Sequence, residues 1–193
     1  MNHKIKNVKT DVLFDNWATL KRVTYEYSTS DGKWETQKRE VYDRGNGAVI
    51  LLYNREQKTV ILTKQFRLAT FLNGNATGML IEACAGLLDD ELPEEGIKRE
   101  TEEETGYQIN KVTKVFESYM SPGSVTEILY FFIAEYESDM KVNNGGGVAH
   151  EQENIEVLEM KFADAVRLIE TGEIKDAKTI MLLQYLQLHN AFE

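Results

Sequence analysis

At 193 residues, 42% of them hydrophobic, the chain is long enough for one domain with a sizeable core and a small appended subdomain. Its formal net charge of −10 argues against a nucleic-acid partner, since duplex binding relies on clustered Lys and Arg to displace counterions. No apolar run approaches the ~20 residues of a membrane span, and Met1 to Lys6 is not followed by a signal-peptide apolar stretch, so a cytoplasmic location is expected. The lone Cys84 cannot close an internal disulfide and lies among apolar residues, which reads as a small core hydrophobe.

In chain order, 20–28 and 34–42 are rich in Val, Tyr, Thr and Trp and are joined by Asp31-Gly32, a hairpin signal. A second strand pair, 48–53 and 59–65, flanks the polar Asn54 to Lys58. The segment 67–79, with Gly74 and Gly78, reads as a loop, followed by a short strand at 80–83. A helix is expected over 93–105, with Pro93 in its first turn and Gly106 just past its end. Strands at 111–118 and 128–136 follow, with Ser121-Pro122-Gly123 turning between them. Residues 141–154 carry Gly145-Gly146-Gly147 and read as a flexible loop long enough to serve function. A strand at 155–160 and amphipathic helices at 162–170 and 176–189 complete the chain. Few helices among many strands indicate a mixed α/β or α+β layered fold.

The chemistry concentrates in Arg99-Glu100-Thr101-Glu102-Glu103-Glu104-Thr105-Gly106. Four carboxylates sit where the helix should end, at the negative end of its dipole, and Glu100 faces Glu104 at a repulsive i,i+4 spacing. Each mismatch costs only a few tenths of a kcal/mol, so a solvated acidic turn is one reading. A divalent cation reverses the sign of every one of these interactions, and hard oxygens on one rigid helix face suit Mg²⁺, which fills its remaining positions with water and phosphate. The overall negative charge makes the same demand, because an anionic substrate is repelled unless cations and local arginines invert the field.

These residues resemble a known signature. Glu91, seven residues, then Arg99-Glu100, Glu103-Glu104 and Gly106 are similar to the Nudix box. Two departures are visible: only four residues separate Gly86 from Glu91, and Thr101 stands where an aliphatic is usual. The resemblance runs on through Lys38 to Gly45, Gln65-Phe66-Arg67, Ser121-Pro122-Gly123 and Gly172-Glu173-Ile174, to the Nudix subgroup acting on nucleoside diphosphate sugars such as GDP-mannose. It implies an α/β/α sandwich around a mixed sheet over 45–193. Residues 1–44 are then a β-rich extension that takes part in dimerisation and contributes to the partner's site.

By the same resemblance, Glu100, Glu104, Glu153 and the Ala85 carbonyl hold Mg²⁺, with Mn²⁺ as a possible substitute. Glu103 supports a further ion or its water shell, and Glu151 is the base, with Glu103 counted beside it as catalytic. Lys38, Arg39, Glu40, Arg67, Ala85, Gly86, Leu87, Glu104, Glu127 and Lys178 are the substrate contacts. Arg99 is expected to orient a box carboxylate. Trp17, Tyr42 and Phe66 either stack on a base or pack in a core or interface. The expected reaction is hydrolysis of a nucleoside diphosphate sugar, GDP-mannose giving GMP and mannose 1-phosphate. The alternatives are an ADP-ribose or other ADP-sugar pyrophosphatase, which shares the box, and a sugar-nucleotide sensor without turnover, against which the intact acidic set argues.

Overall fold

The computed structural model describes residues 4–88, 91–148 and 152–192. By its internal contacts the chain divides into two units. One holds the described residues up to Asn46 together with Tyr119–Ile128, and the other Gly47–Ser118 with the chain from Leu129 onward.

The first unit is an antiparallel sheet of β1 (Ile5–Asp15), β2 (Thr19–Ser28) and β3 (Trp34–Asp43) in that order. The expected hairpin is present, and Gly32 turns it at φ 82°, where a side chain would be strained. β1 was not anticipated. Each of its residues is exposed, so it lacks the alternating burial that marks a strand, and it bulges between Lys6 and Lys9 with Asn7 at φ 53°. The Ser121-Pro122-Gly123 segment joins this unit through backbone bonds. Tyr42 N–H donates to the Ser124 carbonyl at 2.7 Å and Thr126 N–H to the Tyr42 carbonyl at 3.1 Å.

In the second unit, β4 (Gly47–Asn54) is buried along its whole length. It runs parallel to β9 (Ile128–Glu135) and antiparallel to β5 (Thr59–Phe66) and β7 (Cys84–Leu87). The sheet is completed by β6 (Met79–Glu82) on β5, β8 (Thr113–Tyr119) beside β9, and β10 (Glu156–Lys161) on the far side of β5. One parallel pair among antiparallel ones makes the sheet mixed, as expected.

Side chains alternate between the faces of β4 and β9, and each face has its own helical layer. Ala48, Ile50, Leu52 and Phe132 form a core with Ile97 of α2 (Pro93–Thr105). On the other face Phe131 packs at a tilt against Phe116, which meets Tyr185 of α4 (Ala177–Leu188), beside α3 (Phe162–Glu170). The expected loop at 67–79 contains a short helix, α1 (Leu68–Leu72). None of its residues is buried, so it carries no amphipathic stripe from which it could have been read. No helix among the described residues is long and apolar enough to cross a membrane.

Candidate metal and diphosphate site

The N-terminus of α2 is built as expected, with Pro93 in the first turn and Glu94 and Glu95 facing the positive end of the dipole. Its C-terminus closes on Gly106 in the left-handed conformation, φ 80°. Thr101, in the aliphatic position of the box, is fully buried and donates its hydroxyl to the Ile97 carbonyl at 2.6 Å. The polar group is thereby satisfied within the helix, and the departure from the pattern costs no unpaired donor.

The glycine-rich segment is pinned to this helix end. Gly147 N–H donates to the Glu103 carbonyl at 3.0 Å, Gly146 N–H to the Glu104 carbonyl at 2.9 Å, and Val142 N–H to the Gly106 carbonyl at 2.8 Å. Gly145, Gly146 and Gly147 all have positive φ, at 63°, 108° and 81°. These glycines therefore serve a fixed backbone path that satisfies the orphan carbonyls of α2, where the sequence suggested flexibility. Past that anchor, Glu153 accepts from Val148 N–H at 3.1 Å. Glu151, the expected base, lies outside the described residues.

The carboxylates of α2 gather against β7. Glu104 is 1% exposed, and its Oε2 accepts from Ala85 N–H at 3.3 Å. Glu100 packs so tightly on Gly86 that a Cβ there would overlap its carboxylate, so any larger residue at 86 would displace the Glu100 side chain. Burial pushes the Glu104 carboxyl up to about 8, helped by the charges of Glu100 and Glu153 and opposed by the Cys84 thiol and by Arg67. Burial likewise raises Glu100 to about 7, with Arg99 opposing and Glu103 and Glu153 reinforcing the rise. Cys84 is buried as expected, and its thiol bonds Glu104.

Arg99 ties this array together. It donates to Glu103 at 2.7 Å, to Glu100 at 3.1 Å and to Glu91 at 3.1 and 3.2 Å, so it orients the box carboxylates as expected. Among the described residues no three His, Cys, Asp or Glu side chains are gathered into a metal cage. The donor set nevertheless fits a divalent cation that takes one or two carboxylates and leaves its other positions to water and phosphate. Two carboxylates, Glu100 and Glu104, held above their ordinary protonation range with Glu153 within electrostatic reach, gain most from a positive charge among them.

Arg67 and Lys178 come together on a residue the sequence reading missed. Glu82, at the end of β6, accepts from Arg67 Nε at 2.6 Å and from Lys178 Nζ at 2.5 Å. Lys178 also donates to Asp176 at 2.8 Å, and Asp176 caps α4 through Thr179 N–H at 2.9 Å. A glutamate among apolar residues of a short strand was the available signal, since a buried acid requires cationic partners. Arg67 also lowers the pKa of Glu104, so this cation is within electrostatic reach of that carboxylate. Ala85, Gly86 and Leu87 line up as β7 within the same unit.

Lys38, Arg39, Glu40 and Glu127 belong to the first unit. Lys38 and Arg39 are exposed on β3, where Arg39 donates to the Lys38 carbonyl at 2.8 Å, and Glu40 pairs with Arg22 at 3.1 Å. Glu127 is 7% exposed and accepts from Arg44 at 2.6 Å, a pairing the sequence did not announce. Trp17 is highly exposed, Phe66 exposed against Phe71, and Tyr42 half-buried.

Comparison with known proteins agrees with this architecture. Residues 4–42 match the family model described as the GDP-mannose pyrophosphatase NudK N-terminal domain, and residues 43–183 match that of the NUDIX domain. A GDP-mannose pyrophosphatase of Yersinia pestis (strain Pestoides F) is 57% identical over 189 residues, covering 98% of this chain and 94% of that protein. One of Yersinia pseudotuberculosis serotype O:3 (strain YPIII) matches to the same extent, and one of Escherichia coli O1:K1 / APEC is 54% identical over the full length of both chains. The acidic helix, the glycine against Glu100 and the mixed sheet beneath them are thus the parts of a Nudix domain, and the chain belongs to the Nudix family, whose hydrolases generally use a divalent metal.

Proposed function

We propose that this chain hydrolyses the pyrophosphate bond of a nucleoside diphosphate sugar, and that its substrate is GDP-mannose, giving GMP and mannose 1-phosphate. One observation carries the reaction class: buried, mutually repelling carboxylates of α2 lie against β7, and Arg67, joined to Lys178 through Glu82, is within electrostatic reach of Glu104. Such a site is matched to a substrate that brings phosphate oxygens and a divalent cation together. The substrate rests on likeness to relatives named GDP-mannose pyrophosphatase over nearly the whole chain.

Glu100, Glu104, Glu153 and the Ala85 carbonyl are the residues that would hold Mg²⁺, or Mn²⁺ in its place, with Glu103 supporting its water shell. Bound there, the cation supplies Lewis acidity at the phosphates and lowers the pKa of a water. Arg67 and Lys178 donate to the diphosphate, for which a guanidinium fork and an ammonium are suited donors. Glu151 takes the proton of the attacking water, general-base help being worth about 10²- to 10⁴-fold. Positioning and charge stabilisation carry most of the rest.

Lys38, Arg39 and Glu40 on the 1–44 extension and Glu127 complete the substrate contacts, in a homodimer whose extension serves the partner's site. A free, buried Cys84 is consistent with a reducing cytoplasm.

A panel of sugar nucleotides incubated at equal Mg²⁺, with chromatographic separation of products, tests this reading. GDP-mannose should give GMP and mannose 1-phosphate with the highest kcat/KM. If ADP-ribose wins that comparison the substrate assignment fails and the pyrophosphatase assignment stands. If every sugar nucleotide binds and none is turned over, the chain is a sensor.

A further inference from the structure

Among the described residues of the second unit, Glu82 is the most deeply buried acid that pairs with two cations. Its side chain is 4% exposed, and each of its oxygens is given to a different cation, Oε2 to Arg67 and Oε1 to Lys178. The two cations come from distant parts of the chain, one after β5 and one in the first turn of α4. Unpaired, they would repel each other and keep the rotamer freedom of long side chains. The acid between them removes both obstacles. The surrounding frame is rigid: Thr63 Oγ1 donates to the Glu82 carbonyl at 3.3 Å, and Thr179 Oγ1 bonds Ala83 N–H at 2.6 Å.

We propose that Glu82 is a positioning residue for substrate: it holds Arg67 and Lys178 as one preset pair of donors for the diphosphate. This rests on the assignment of those two cations to the diphosphate made above. The bond to Glu82 engages Arg67 through Nε, so the planar fork is oriented by one edge while its two terminal NH₂ groups remain the donors suited to paired phosphate oxygens. Arg67 keeps 39% of its side chain exposed. Asp176 gives Lys178 its second anchor and fixes the start of α4. Two acids and two bases leave the cluster neutral, so its selectivity for an anion comes from where the donors are held rather than from excess charge.

The test compares Glu82→Gln, Arg67→Ala, Lys178→Ala and their combinations in the full-length protein. The readouts are KM and kcat for GDP-mannose at saturating Mg²⁺, calorimetric affinity for GDP, and the thermal melt. Gln keeps the shape of Glu82 but offers one oxygen to two cations, so Glu82→Gln should raise KM and weaken GDP binding by about tenfold, with a much smaller change in kcat. In the Arg67→Ala, Lys178→Ala background, Glu82→Gln should add nothing further, since it would have nothing left to position. A fully additive loss there, or a loss of kcat at unchanged KM, overturns the proposal. If Arg67→Ala and Lys178→Ala raise KM while Glu82→Gln leaves it at the wild-type value, positioning fails and the diphosphate assignment survives. If the two alanine variants bind GDP like wild type, the assignment fails and the proposal with it. Should Glu82→Gln not fold, Glu82→Asp keeps the charge on a shorter stem, and the same KM-against-kcat split and non-additivity decide.

Discussion

The carboxylate of Glu100 rests on the backbone of Gly86, with no room between them for a methyl group. β7 and the box helix therefore meet closely at this point, and one residue earlier the Ala85 N–H donates to Glu104 of the same helix at 3.3 Å.

Gly86→Ala should therefore act at a distance of one residue from the expected ligands. The added Cβ drives Glu100 off its place, and misplacement of a reacting group by ~1 Å costs on the order of 10²-fold in rate. Turnover at saturating Mg²⁺ should fall by about that factor, with far-UV circular dichroism unchanged. Wild-type turnover in Gly86→Ala would show that Glu100 has no fixed role.

The protonation of Glu100 and Glu104 predicts how pH and metal act on stability. Both carboxyls are raised, to about 7 and about 8, from unfolded values near ~4.3. Between these limits the folded protein binds more protons than the unfolded chain. Its stability is therefore fully present below the unfolded value and is lost as pH rises through 7 to 8. In EDTA the melting temperature should be lower at pH 8.5 than at pH 6, by about 2–4 °C for each ~1 kcal/mol lost in a chain of this size. Added Mg²⁺ binds the ionised form, so it should close that gap and raise the melt more at pH 8.5 than at pH 6. Calorimetry in EDTA and in Mg²⁺ at the two pH values reads both effects, and a melt rising with pH in EDTA contradicts them.

Glu104→Gln separates the ligand from the structure. The substitution is nearly isosteric and removes a buried charge that the fold does not need, so the metal-free melt should be unchanged or higher. Activity should drop by orders of magnitude, because a hard anionic oxygen has been lost. Full activity of Glu104→Gln, or of the wild type in excess EDTA, removes the metal from the reaction.

What the sequence disclosed follows from which signals are local. Pro93 and Gly106 mark α2 because capping is written in neighbouring residues, and the buried β4 announces itself as an apolar run. β1 and α1 bury nothing, so no periodicity betrays them. At the site, the i,i+4 acids were legible from spacing alone. The Glu82 bridge was not, because Arg67, Glu82 and Lys178 meet only after β5, β6 and α4 have packed. The glycine run was legible as special backbone but not in its purpose, since capping the Glu103 and Glu104 carbonyls requires knowing which helix end lies beneath it.

That capping bears on Glu153, one of the two acids the sequence offers in this loop. Gly146 and Gly147 fix the segment on α2, and Glu153 follows closely enough for its charge to raise both Glu100 and Glu104. Glu153→Gln should therefore raise the Mg²⁺ concentration needed for half-maximal activity, with kcat recovering as Mg²⁺ is added. Glu151→Gln should instead depress kcat at every Mg²⁺ concentration by about 10²- to 10⁴-fold while leaving substrate affinity nearly unchanged, since a base acts mainly in the transition state. Gly147→Ala would force a side chain into a positive φ and against Glu153. It should thus reproduce the Mg²⁺ dependence of Glu153→Gln rather than the kcat loss of Glu151→Gln. Steady-state kinetics over a Mg²⁺ titration distinguishes the patterns: if Glu151→Gln is rescued by metal and Glu153→Gln is not, the two acids exchange roles.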